Sequence, residues 1–222
     1  MLARLDVAFT AAREHAQIGP GYEHAWFSDS LTIGFPITTW HGENEFLDVV
    51  TMAERVQFEL ARAGFATRGG FALGAFFMDG NVTFGPALVE AVKLERNATT
   101  PRVVLSPDVV ALARSLLPSY GKGSTWTPHS DFLVIDNAGR VFVNYLDAAR
   151  NYCSGDDKDE LLPLLGEHSA LIQRGLLDHR DNPCVRVKYE WLARYHNWYC
   201  DRAGLPAARV AGFGAEALAP FS

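Results

Sequence analysis

The sequence contains no apolar run that approaches the ~18 residues a membrane span needs, because Arg, Asp, Glu or Gly interrupts every candidate. It therefore predicts no membrane segment. Met1–Asp6 does not read as a signal peptide either, since charges fall inside the stretch that should be purely apolar. Cysteine is scarce. Cys153, Cys184 and Cys200 are odd in number, widely spaced and form no CxxC pair, which argues against a disulfide framework and predicts a reduced, cytoplasmic protein. Positive charge is short as well: 20 Lys and Arg stand against 26 Asp and Glu, a net charge of −6. That balance disfavours broad binding to a nucleic-acid backbone. A nucleotide substrate stays open, because divalent metals bridge acidic residues to phosphates. The seven histidines show no HExxH or HxH spacing, so zinc chemistry is not indicated. There is no internal repeat and no low-complexity tract.

What remains is an ordinary globular composition. The chain has 222 residues, 48% hydrophobic and 12% aromatic, enough for one or two domains. Leu2, Leu5, Phe9 and Ala12 recur at helical spacing, predicting a helix over 2–16 that Gly19-Pro20 stops. The stretch 24–35 is rich in β-formers and bends at Ser28-Asp29-Ser30, predicting a strand pair. A helix is predicted over 43–63, a strand over 66–78, a turn at Asp79-Gly80 into a second strand, a helix over 85–96, a strand over 102–105 and a helix over 107–117. Strands alternating with helices predict an α/β or α+β sandwich with one sheet. Beyond Pro118 come a loop-like segment, a hairpin turning at 137–139, two helices over roughly 157–177 and 184–202, and a loosely packed Ala/Gly/Pro-rich tail.

Asp29 is the leading site candidate: a carboxylate at the bend of an otherwise apolar hairpin needs a cation, a metal or a hydrogen-bond network. The competing reading is a turn Asp that bonds its own backbone amides. Arg68-Gly69-Gly70 opens a strand, where glycines mark close approach of either a ligand or a packed backbone. Lys93 and Glu90 read as a solvated i,i+3 pair or as charges facing a substrate. Gly121–Thr125 imitates the end of a phosphate loop but lacks the earlier glycine and a leading strand. Gly212-Phe213-Gly214 lies in the tail. Trp191, Tyr195 and Trp198 form a stripe at helical spacing with His196 beside them, which reads as core or interface.

Four segments in order resemble the catalytic domain of class III nucleotide cyclases: WFSDSLTIGFP, TRGGFALG, FGPALVEAVKLE and PRVVLSPDV. With FVNYLD and KYEWLARYHN added, the chain is similar over most of its length to the pyrimidine cyclases of bacterial Pycsar anti-phage systems. The resemblance implies a ferredoxin-like cyclase domain over 1–117, with a hairpin and two-helix extension over 118–222 packed on it. It implies a homodimer with sites at the interface, a UTP or CTP substrate, a 3′,5′-cyclic monophosphate product, and a separate effector that reads that product. Two divalent ions per site, Mn²⁺ or Mg²⁺, are implied. Asp29 is one metal ligand by this resemblance, Lys93 stands in the place of a catalytic Arg, and Arg68 contacts substrate. Val89 replaces an Asn of the family pattern. Ala25 and Val82 occupy the places that read a purine edge, and neither can hydrogen-bond one, which supports a pyrimidine. The family's first metal Asp lies on an opening strand. Leu5-Asp6-Val7-Ala8-Phe9-Thr10 imitates that strand without its Gly, making Asp6 the second ligand candidate. The helical periodicity of 2–12 instead puts Asp6 on a helix and leaves the opening strand outside this chain.

Overall fold

The structure is a computed structural model that describes residues 2–16, 22–37, 43–79, 82–120, 127–154 and 157–222. The phosphate-loop imitation at Gly121–Thr125, the helix stop at Gly19-Pro20 and the Gly80 turn lie outside the described residues.

The fold is mixed α/β. Helix α1 (Leu2–Ala16) precedes a hairpin of β1 (Glu23–Phe27) and β2 (Ser30–Gly34), and α2 (Glu43–Arg62) follows. Next come β3 (Gly69–Phe71), β4 (Phe77–Asp79), β5 (Val82–Phe84), α3 (Pro86–Asn97), β6 (Val103–Leu105) and α4 (Pro107–Leu116). The C-terminal part holds α5 (Pro128–Phe132), β7 (Leu133–Asp136), β8 (Val141–Val143), a 3₁₀ segment (Tyr145–Tyr152), α6 (Lys158–Asp178), α7 (Pro183–Ala203) and β9 (Leu218–Pro220). Capping side chains start the later helices. Ser106 accepts from Val109 N–H, Asp157 from Asp159 and Glu160 N–H, and Asn182 from Val185 N–H, with Pro183 just inside α7.

Five strands form one sheet in the order β3-β6-β8-β7-β9, with β3 parallel to β6 and the other neighbours antiparallel. Residues on both sides of Leu117 contribute strands to it. Alternation along the strands separates two cores. Leu105, Leu133, Val141 and Val143 face α4 and the first half of α2, where Phe46, Val50, Val109 and Ala113 are buried. Val104, Val134 and Phe142 face the other way, into the 3₁₀ segment, α6 and α7. A third cluster joins Met52, Val56 and Leu60 of α2 to Ala8 of α1, with Ile33 and Phe35 packed against it.

The single sheet predicted from the alternating pattern is corrected: the β1–β2 and β4–β5 hairpins are separate two-stranded sheets. Among the described residues neither hairpin makes ladder bonds with the five-stranded sheet. The strand predicted over 66–78 is likewise broken. After Phe71 the chain leaves the sheet, and Ala75 turns its carbonyl to accept from Ala87 N–H at the start of α3. Gly85 lets that happen, since at φ 142° a Cβ there would lie 2.5 Å from the Ala75 oxygen. The tail is not loose. Asn197 donates to the Val210 and Phe213 carbonyls and accepts from Val210 N–H, and β9 pairs with β7. Buried Val210 and Phe221 anchor it at both ends. The anchoring signal was Asn197, a buried polar side chain that reads from sequence as part of a helix face.

Gly70 sets how closely α3 approaches β3. A Cβ there would meet the Ala91 carbonyl oxygen at 2.2 Å and Leu94 Cβ at 2.7 Å. Gly70→Ala must push backbone against backbone, so it is expected to destabilise the chain by about 1–3 kcal/mol. Urea unfolding measures this directly, and an unchanged midpoint would mean that α3 sits further from the sheet.

Candidate functional site

The β1–β2 hairpin turns in two residues, with Phe27 paired to Ser30 and Ser28-Asp29 between them. Ser28 sits at φ 59°, in the left-handed region. For a residue with a Cβ that conformation costs roughly 1–2 kcal/mol, and it is the backbone geometry that a two-residue hairpin turn requires. Asp29 is exposed, and among the described residues its carboxyl takes no hydrogen bond or ion pair. It is therefore not the self-bonding turn Asp of the competing reading. Aromatic contacts hold the hairpin from below: Phe9 of α1 meets Trp26 edge-on at 4.8 Å and His24 at 5.3 Å, and Tyr22 stacks on Phe35 at 5.4 Å.

Asp6 lies on α1, one turn before Phe9, and faces solvent. The opening-strand reading of Leu5–Thr10 is thereby corrected: the i, i+3, i+4 apolar spacing, which buries Ala8 and Phe9 against α2 and the hairpin, outweighs the local likeness. Arg68 stands just before β3. Its Nε–H meets Glu95 Oε1 at 2.6 Å and its Nη1–H donates to the Ala98 carbonyl at 3.2 Å, so the guanidinium clamps the end of α3 to β3. Lys93 is 64% exposed, with Glu90 3.9 Å away, a surface pair of little energetic weight. It is two residues from Glu95 on α3 and so projects from a different side of the helix. Among the described residues, no hydrogen bond or ion pair joins any two of Asp6, Asp29, Arg68 and Lys93. Their elements do touch in sequence: α1 on β1 through Phe9, β1 on β4, β5 on α3, and α3 on β3.

Among the described residues no three His, Cys, Asp or Glu side chains converge into a metal-holding group. Asp29 fits a divalent ion as a single exposed carboxylate. Mg²⁺ is commonly held by one or two carboxylates plus substrate phosphates, with water filling the remaining positions. Nothing observed joins Asp6 to it.

The strongly perturbed titratable groups lie elsewhere, inside the protein. Glu54 of α2 is fully buried, and neither carboxylate oxygen has a hydrogen-bond partner. Burial holds it well above the usual carboxylate range, the charge of Asp147 adds to the rise, and Arg55 opposes it. Burial also pushes Asp147 up to about 6, against the pull of Arg150. Asp147 accepts from the Tyr199 hydroxyl at 3.2 Å and pairs with Arg150 at 3.2 Å, while Asp131 takes Arg202 at 2.5 Å. At this junction of α2, α5, the 3₁₀ segment and α7, Asp147 and Asp131 are each paired with an arginine, and Glu54 lies fully inside it. Its signal in the sequence is faint, because Glu54 reads as one more polar residue of a 20-residue helix.

Glu54 gives a pH signature. Its carboxyl is raised in the folded state, so its contribution is complete below the unfolded value near 4.5 and is lost as pH rises. Glu54→Gln removes that loss. Thermal melts are expected to match at pH 4 and to favour the variant by a few degrees at pH 7. A less stable variant at pH 7 would mean that the carboxylate is ionised and partnered.

Comparison with family models, with curated proteins and with solved structures gives no match to this chain.

Proposed function

We propose that this chain is a pyrimidine nucleotide cyclase, acting as a homodimer and converting UTP or CTP to the 3′,5′-cyclic monophosphate with release of pyrophosphate. In this reading it generates the signal of an anti-phage system, its fold is a variant of the ferredoxin-like class III cyclase domain, and a separate effector reads the product. The observation that carries it is the ordering of the resembling segments. WFSDSLTIGFP, TRGGFALG, FGPALVEAVKLE and PRVVLSPDV fall on the β1–β2 hairpin, β3, α3 and β6, and these elements adjoin one another through β4–β5.

In the reaction the ribose 3′-oxygen bonds to the α-phosphorus, the bond to the β-phosphate oxygen breaks, pyrophosphate departs, and the hydroxyl proton passes to solvent. A divalent ion, when bound, lowers the pKa of that hydroxyl and shields the triphosphate charge. Asp29 would hold the ion from the hairpin turn. Lys93 would bring a cation to the reacting phosphate, as a point charge without the bidentate fork of an Arg. Arg68 would reach the triphosphate only by exchanging Glu95 for phosphate oxygens.

Dimerisation fits the surface. Phe27, Phe77 and Phe84 are 84%, 46% and 58% exposed and together present on the order of 300 Å² of aromatic surface. Val82, Val89 and Val92 extend the apolar face along β5 and α3. An exposed aromatic patch is a place where a second copy could dock, and a copy covering it would shield Asp29 from bulk water.

A second reading is a cyclase-fold domain that binds nucleotide or a partner without turnover. The commitment of Arg68 to Glu95 and Ala98 and the helical setting of Asp6 favour it.

Incubation with Mn²⁺ and each of the four labelled ribonucleoside triphosphates separates the readings. A cyclic pyrimidine product is expected, and Asp29→Ala is expected to abolish it while leaving the melting temperature within a few degrees. Cyclic AMP as the sole product would sink the proposal, full activity of Asp29→Ala would remove Asp29 from the site, and nucleotide binding without product would establish the second reading.

A further inference from the structure

The C-terminal layer contains a buried chain of hydrogen bonds whose direction is fixed. The Tyr145 hydroxyl lies 2.6 Å from His168 Nε2, His168 Nδ1 lies 3.0 Å from His196 Nδ1, and His196 Nε2 lies 2.8 Å from the Ala208 carbonyl oxygen. Both rings are fully buried and stack with centroids 5.1 Å apart. A carbonyl oxygen can only accept, so His196 Nε2 carries the hydrogen. Its Nδ1 must then accept, His168 Nδ1 must donate, His168 Nε2 must accept, and Tyr145 must donate. With both rings neutral, each of the three bonds has one possible polarity.

We infer that this chain is an acid-sensitive latch on the C-terminal layer, holding the 3₁₀ segment, α6, α7 and the Pro206–Ala208 turn together only while both imidazoles are neutral. A proton added to His196 Nδ1 would face the His168 Nδ1–H, donor against donor. A proton added to His168 Nε2 would face the Tyr145 hydroxyl, which must turn to accept and leave its own hydrogen without an acceptor among its observed partners. A proton relayed through His168 to His196 keeps the three contacts only by reversing two of them, which leaves the Tyr145 hydrogen without an acceptor among its observed partners and buries a cation with no carboxylate among its observed partners.

The neighbouring groups do not compensate. Tyr195 of α7 is engaged by Asn144 and Leu146 N–H. Cys200 Sγ lies 3.4 Å from His196 Nε2, and burial pushes that thiol up to about 12, so it stays neutral. The Pro206–Ala208 turn offers only its carbonyl, and Arg209 beyond it is held by both Asp201 oxygens. Tyr199 binds Asp147, the one carboxyl of the 3₁₀ segment. Burial lowers both histidines; the charge of His196 lowers His168 further, while the hydrogen bond to the Ala208 carbonyl partly offsets the burial of His196. The sign follows: the latch is fully closed above the unfolded histidine value near 6.5 and weakens as pH falls below it. Asp147 works in the opposite sense, because its raised carboxyl favours the folded state as pH falls.

His168→Gln isolates the histidine contribution from that of Asp147. A Gln amide can donate to His196 Nδ1 and accept from Tyr145, yet it takes no proton. Hydrogen exchange of α6 and α7 amides is measured between pH 6.5 and 5 in both proteins. Opening in the natural protein is expected to rise relative to His168→Gln by about tenfold per pH unit, the weight of one proton. Equal pH dependence overturns the proposal. Independently of any variant, ¹⁵N spectra of the natural protein at pH 7 are expected to show one histidine as the Nδ1–H tautomer and its partner as Nε2–H. The reverse assignment, or an imidazolium at either position, overturns it as well.

Discussion

Helix α2 is the constraint on which the rest of the fold rests. Its first turns place Phe46 and Val50 against α4 and one face of the sheet, its middle gives Met52 and Val56 to α1 and the hairpin, and its end gives Phe58 and Ala61 to the C-terminal layer. One helix thus belongs to three cores, and so much of its circumference is inside that polar residues are buried with it. Gln57 Nε2–H donates to the Thr67 carbonyl at 3.1 Å, and Glu59 takes both Arg62 and the Tyr152 hydroxyl. Glu54 has no hydrogen-bond partner among the described residues, and burial raises its carboxyl well above the usual range. A helix that must contact three layers cannot keep a purely polar face for water, and the buried Glu54 is the cost of that geometry.

The same logic separates what the sequence reveals from what it hides. Elements whose cause is local were legible. The apolar spacing of 2–12 predicts α1, the bend at Ser28-Asp29 predicts the first hairpin, and Asn137–Gly139 predicts the β7–β8 turn, where Asp136 accepts from Ala138 and Arg140 N–H. The Trp191, Tyr195 and Trp198 stripe reads as core or interface; Trp191 and Tyr195 are buried and Trp198 is partly buried. What long-range contacts decide was not legible. Nothing in residues 66–78 announces that the strand stops at Phe71, because the reason lies in the docking of Ala75 on the start of α3. Nothing in an Ala/Gly/Pro-rich tail announces order, because its partners are Asn197 and β7, both distant in sequence. The likeness of Leu5–Thr10 to a strand motif fails for the complementary reason: short motifs lose to periodicity that buries area.

Candidate site and structural strain divide in an unusual way. Strongly shifted titratable groups often mark active sites, yet here they are Glu54, Asp147, His168 and His196, all enclosed and all shifted first by burial. Desolvation without an opening describes architecture. The residues that the cyclase resemblance selects stand on the opposite side of that divide: Asp29 and Lys93 are exposed, and only Arg68 is tied into the fold. The positive φ of Ser28 is what the two-residue hairpin turn requires and is no separate mark of function.

That exposure bears on how such a site could work. A carboxylate and a lysine in bulk water act through a high dielectric, where a unit pair at contact gains only about 1 kcal/mol. Phosphoryl chemistry draws its rate from charges placed in a dry, fixed setting. A single copy of this chain offers Asp29 on a turn, flanked by Phe27 and backed by Trp26, with Phe77 and Phe84 on the adjoining hairpin. Aromatic surface around an unpaired acid is poor design for a free monomer, since it exposes apolar area and leaves the charge undirected. It becomes a rational arrangement once another surface closes over it, because buried aromatic surface excludes water from what lies beside it. On the cyclase reading the catalytic environment is therefore a property of the assembly, and the hairpins, outside the main sheet, are the parts that would meet the second copy.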